Sequence, residues 1–135
     1  MRFLNEPVGS SSTIIAGRYS EMDRVPDPGV ALCLAAGLIS DTLNLTSPTT
    51  TEVDRELLAW LAGAAGVDAD EFSKCFFEEG SLLMHGTPEV IIGSDRKEFS
   101  EQEKTVSLSQ IEELSLVAFR ERREELEEVL RDMCE

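Results

Sequence analysis

A chain of 135 residues, 41% of them hydrophobic, has material for one ordinary domain or parts of two, and is too apolar for a disordered tail. Its 27 acidic and 12 basic residues leave a formal net charge of -15. That argues against nucleic-acid backbones as a main partner, because such a footprint needs clustered Lys and Arg.

In chain order, Glu6-Pro7-Val8-Gly9 reads as a short extended segment entering a turn. Ser10 to Ser12 can cap a helix running to about Met22, and its first turn offers either simple N-capping or an anion site. Pro26-Asp27-Pro28-Gly29 is a break, with Asp27 as N-cap and Pro28 at the first helical position. The apolar run from Val30 to Ile39 predicts a buried helix. Thr49 and Glu52 have the spacing of a capping box. The helix they open carries Val53, Leu57, Trp60, Leu61 and Ala64, and Gly66 ends it.

Asp68 and Glu71 repeat the cap signal for a helix with Phe72, Cys75 and Phe76, stopped by Gly80. Residues Ser81 to Gly86 read as a linker, and Thr87-Pro88-Glu89 starts a short turn through Ile92. The period then changes. Glu98-Phe99-Ser100 and Thr105 to Ser109 alternate as strands do, around a polar turn. A last helix from about Ser115 holds Leu116, Phe119, Leu126, Leu130 and Met133 on one side, a heptad-like stripe interrupted by Arg123. Its charged face is a solvated one, and the stripe also suits a partner helix.

The carboxylate of Asp41 ends the apolar run, and no Lys or Arg lies between Arg24 and Arg55. A buried charge without a counter-charge is costly, so a metal ion is one candidate partner. The other reading is a helix C-terminal residue bonded to Thr42, Asn44 or Thr46. Cys33, Cys75 and Cys134 are scattered and odd in number, which fits a reducing interior. There is no signal-peptide core and no apolar run long enough to span a bilayer, so the expectation is a soluble, cytoplasmic chain with no membrane partner. The acidic excess over three lysines (Lys74, Lys97, Lys104) fits life at high salt and fits a solubility role equally well. Two strands near the C-terminal end cannot make an independent sheet, so the sequence reads as the middle of something larger.

The ordered set EPVGSSST, AAGLISDTLNLTSPTTTEVD, AGVDADEF, TPEVIIGSDRKEF and TVSLSQIEE resembles the manganese-dependent (family II) inorganic pyrophosphatases of the DHH phosphoesterase superfamily. The resemblance implies an α/β fold in which residues 1–80 form the mostly helical C-terminal part of a DHH-type metal-binding domain. Residues 81–86 would link it to the first strands and helix of a smaller DHHA2-type domain over 87–135. It implies pyrophosphate as substrate, two Mn²⁺ ions as cofactors, and a homodimer in the intact protein built through sheet elements outside this sequence. Asp41 in Ser40-Asp41-Thr42 matches the family's metal-ligating aspartate. Lys97 in Asp95-Arg96-Lys97-Glu98-Phe99 matches the lysine that reaches a substrate phosphate.

The family's His-x-x-x-Asp-x-Asp, Asp-His-His and Ser-Arg-Lys motifs are absent from the sequence, and His85 matches no metal position. The expectation is a fragment, inactive alone. Two other outcomes stay open: a superfamily phosphoesterase acting on polyphosphate or a short oligonucleotide, and a non-catalytic remnant or interaction module.

Overall fold

The computed structural model describes residues 4–102 and 104–134. Met1 to Phe3, Glu103 and Glu135 lie outside them. The described residues fold into seven helices and one small sheet. Chain contacts divide them into two compact units, Met1–Phe76 and Phe77–Glu135, and the division falls inside a helix.

The first unit contains α1 (Ser11–Glu21), α2 (Pro28–Thr42), α3 (Glu52–Ala65) and the first part of α4 (Ala69–Gly80). Helices α1, α2 and α3 all pack on one another. Small and branched apolar side chains fill the space between them: Ala16 from α1, Ala31, Ala35, Leu38 and Ile39 from α2, and Leu58, Leu61 and Ala62 from α3. The segment before α1 is a series of bends rather than the extended entry expected. Ser10 is the N-cap of α1 and its hydroxyl accepts from the Ser12 amide at 3.0 Å, so the capping reading of the serines holds. Asp27 stands at the N-cap of α2 with Pro28 following, although its side chain makes no capping bond.

Two expectations about this unit are corrected. Helix α2 is not buried all round, because Val30, Cys33 and Asp41 are exposed. The capping box of α3 belongs to Thr51 and Asp54, two residues later than Thr49 and Glu52. That shift turns Val53 outward and Asp54 inward. Gly66 ends α3 at φ 72°, as its position predicts. Asp68 accepts from the Glu71 amide at 2.9 Å at the start of α4, whose Phe72 and Phe76 rings lie 6.2 Å apart.

The second unit holds the end of α4, then α5 (Leu82–His85), α6 (Pro88–Gly93), β1 (Lys97–Glu101), β2 (Lys104–Leu108) and α7 (Val117–Asp132). Within residues 81–86, α5 forms a helical turn, and its Leu83 is in the core with Ile91, Ile92 and Leu126. Strands β1 and β2 pair antiparallel, with Lys97 opposite Leu108 and Phe99 opposite Val106. Every residue of the two strands is exposed. Helix α7 faces the core through Ala118, Leu126 and Val129, whereas Leu116, Phe119, Leu130 and Met133 of the expected stripe are exposed. The reason is Arg122. Its guanidinium donates to the carbonyls of Leu83 and Gly86, both at 2.8 Å, and so fixes which face of α7 turns inward.

Candidate functional site

The first unit is organised around a carboxylate that the sequence reading passed over. Asp54, 0% exposed, accepts from the Gly9 amide, the Thr13 hydroxyl at 2.5 Å, and both the amide and hydroxyl of Thr51 at 2.7 Å. Burial alone pushes this carboxyl up. The hydrogen bonds from Thr13, Thr51 and Gly9 outweigh burial and hold it below the ordinary aspartate range. Gly9 is required here, because a Cβ would sit 2.7 Å from Thr42 Cγ2 and 3.0 Å from Asp54 Oδ2. Asp54 thereby ties the loop before α1, α1 itself and the start of α3 into one joint, against which Thr42 packs.

Thr42 in turn anchors the segment that follows Asp41. Its hydroxyl donates to the Leu38 carbonyl at 2.6 Å and accepts from the Leu45 amide at 3.1 Å. Leu43, Asn44 and Leu45 all have left-handed backbones, at φ 48°, 48° and 65°. Each such non-glycine residue costs about 1–2 kcal/mol. The turn is held by Ser47 N–H to the Thr42 carbonyl at 2.9 Å and by the Arg55 guanidinium on the Leu45 carbonyl at 3.3 Å. Strain of this kind gathers at functional sites.

Asp41 lies on the last turn of α2 and is exposed, so the energetic case for a buried, unpaired charge does not hold. It bonds to none of Thr42, Asn44 or Thr46. The Ser10 hydroxyl donates to its Oδ2 at 2.6 Å, and its Oδ1 accepts from no described residue. The last turn of α2 carries no basic residue. A carboxylate at the negative end of a helix dipole with no cation beside it is a place where a cation is favoured. Among the described residues, no group of three or more His, Cys, Asp or Glu could hold a metal ion. Asp41 alone therefore does not make a metal site among the described residues.

Lys97 opens β1 in the second unit, with its ammonium 3.6 Å from the Asp95 carboxylate and its side chain 67% exposed. Asp95 has a left-handed backbone at φ 39°, which turns the chain into the strand. His85 is exposed, and its ring Nε2 lies 3.0 Å from the Glu78 carbonyl. Asp41 and Lys97 belong to different units.

Comparison with known proteins bears on what these positions serve. No protein-family model matches the chain. A protein of Clostridium acetobutylicum, named a probable manganese-dependent inorganic pyrophosphatase, is 38% identical over 124 residues, 92% of this chain and 40% of that protein. The crystal structure of a Methanococcus jannaschii protein assigned to the family II inorganic pyrophosphatases superposes with a TM-score of 0.71 at 32% identity, covering 94% of this chain and 44% of that one. The chain is homologous to part of the family II inorganic pyrophosphatases.

It spans about two fifths of the length of such relatives. The metal named differs among them: a Clostridium perfringens relative, 36% identical over 117 residues (87% of this chain and 21% of that protein), is a cobalt-dependent inorganic pyrophosphatase. Likeness to these pyrophosphatases therefore supports a divalent metal. No helix among the described residues is long and apolar enough to cross a membrane.

Proposed function

We propose that this chain works as part of an inorganic pyrophosphatase that hydrolyses pyrophosphate to two phosphates. The observation that carries the reading is the match to pyrophosphatases over more than nine tenths of the chain, in sequence and in fold together. In this reading the first unit is the C-terminal part of a DHH-type domain, and the second is the start of a DHHA2-type domain.

Two Mn²⁺ ions, when bound, would supply a water acidified enough to attack phosphorus near neutral pH. Asp41 would be one of the residues holding them. Lys97 is a point charge for a phosphoryl oxygen. Its exposed ion pair with Asp95 is of the weak kind, so phosphate competes for the ammonium at little cost. One carboxylate does not make a two-metal site, so these 135 residues alone are inactive.

A chimera tests the proposal: this chain replaces the matching segment of the Clostridium acetobutylicum relative. The folded chimera is expected to release phosphate from pyrophosphate in Mn²⁺. Asp41→Asn is expected to abolish turnover, and Lys97→Ala to raise KM. A folded chimera without activity, beside an active parent, would sink the reading. The purified 135-residue chain is expected to release no phosphate under the same conditions.

A further inference from the structure

We infer that β1 pairs edge to edge with β1 of a second copy of this chain, antiparallel about a two-fold axis at Phe99. This surface lies inside the sequence, unlike the homodimer that the family resemblance implies through sheet elements outside it. Among the described residues the sheet has only two strands, and every residue of both is exposed. A sheet of two strands is marginal by itself. Backbone groups along β1 alternate between its two edges, so half of its donors and acceptors face away from β2. Such an edge is a template for another strand.

The order of residues along β1 decides the occupant. Lys97 and Glu101 stand two places either side of Phe99 and share a face of the strand with it. An antiparallel copy centred on Phe99 sets Lys97 against Glu101 of the copy, Glu101 against its Lys97, and Phe99 against Phe99. Opposite charges and aromatic pairs are favourable cross-strand neighbours. On the other face Glu98 meets Ser100, so no like charges are opposed. A parallel copy in register would set each charge beside itself. Pairing through β2 about Val106 would put Lys104 against Leu108. The charge pattern therefore selects the antiparallel β1 edge.

The apolar side chains agree with it. Phe99 stands opposite Val106 within the hairpin, and both are exposed. In a sheet of order β2-β1-β1-β2 they form one row, Val106, Phe99, Phe99, Val106. Glu101 then lies between Lys104 of its own hairpin and Lys97 of the copy. Lys97 reaches that carboxylate by leaving its exposed ion pair with Asp95, a weak bond. Self-pairing and a phosphate therefore compete for the Lys97 ammonium. The net charge of -15 is screened beyond about 8 Å at physiological salt, which leaves the decision to local pairs. Lys104 on the outer edge opposes further strand addition, so the two-fold contact closes at a dimer.

Sedimentation velocity of the 135-residue chain from about 10 μM to 1 mM, the range of weak association, tests the inference. The wild type is expected to pass from monomer to dimer, and amide exchange in β1 to slow as it does. Lys97→Glu and Glu101→Lys each put like charges into both contacts across the axis, and each is expected to weaken dimerisation about tenfold. An equimolar mixture of these two variants is expected to dimerise again, because one carries only acids at the two positions and the other only lysines. Phe99→Glu opposes two carboxylates on the axis and leaves the Lys104 neighbourhood unchanged, so it is expected to stay monomeric even if Glu101→Lys loosens its own hairpin. A wild type that is monomeric throughout the range overturns the inference and leaves the edge to a strand of another chain. A dimer indifferent to all three substitutions uses another face, which overturns it equally. Folded variants that fail to dimerise when mixed would overturn the antiparallel register.

Discussion

The Gly9 amide donates to both carboxylate oxygens of Asp54, at 3.2 Å to Oδ1 and 3.0 Å to Oδ2, across 45 positions of sequence. Asp54 is also the N3 residue of the α3 capping box. One side chain therefore ends a helix and closes a tertiary joint, and Thr42, next to Asp41, packs directly over that joint.

Removing the Asp54 carboxylate should be among the most damaging single changes in the first unit. Asp54→Ala leaves the Thr13 hydroxyl and the Gly9 and Thr51 donors without their acceptor. The expected loss is about 3 kcal/mol, measured by denaturant unfolding of α1–α3.

The same carboxylate gives the first unit a defined acid limit. Its native pKa lies below the ordinary aspartate value. The stabilisation is fully present above that ordinary value. As pH falls toward the lowered native value, the unfolded chain takes up its proton first and the stabilisation is lost. Wild-type stability is thus expected to fall below about pH 4 more steeply than that of Asp54→Asn. Equal slopes in acid unfolding would show that Asp54 does not set the limit.

Gly9→Ala should act on the same joint through sterics. The added methyl meets Thr42 Cγ2 at 2.7 Å as well as Asp54. Overpacking of this kind costs about 1–3 kcal/mol. Thr42→Ser removes Cγ2 and keeps the hydroxyl that bonds Leu38 and Leu45. The double variant is therefore expected to recover part of the loss in thermal unfolding, with the remainder due to Asp54.

Much of this architecture was legible because helix stops are local. Gly66, Pro28 and the Asp68 cap act within one turn, and each helix they bound appears within a few residues of its expected place. The strand alternation around Phe99 and Val106 was legible for the same reason. What escaped was tertiary. Asp54 reads as one of many surface acids until Gly9 and Thr13 are brought to it from a distant segment. The left-handed turn at Leu43 to Leu45 contains no glycine to announce it. Asp41 was singled out for a burial it does not have, and its bond to Ser10 joins two elements that no local spacing connects. The packing of Leu83 against α6 and α7 was also beyond local spacing.

Adjacent arginines on α7 provide the last test, because they look alike in sequence and differ in role. Arg122 reaches across 39 and 36 positions to the carbonyls of Leu83 and Gly86. Arg123 pairs with Glu127 one turn on, in solvent. Arg122→Ala strips a charged donor from two carbonyls that close α5, and is expected to cost about 2 kcal/mol. Amide exchange should rise most in α5 and α6, where the lost brace acts. Arg122→Lys supplies the charge without the planar fork and is expected to recover only part of the protection. Arg123→Ala should leave exchange in α5 and α6 unchanged, since its pair is exposed and local. Equal effects from the two arginines would mean that α7 is held by its charge pattern rather than by the Arg122 brace.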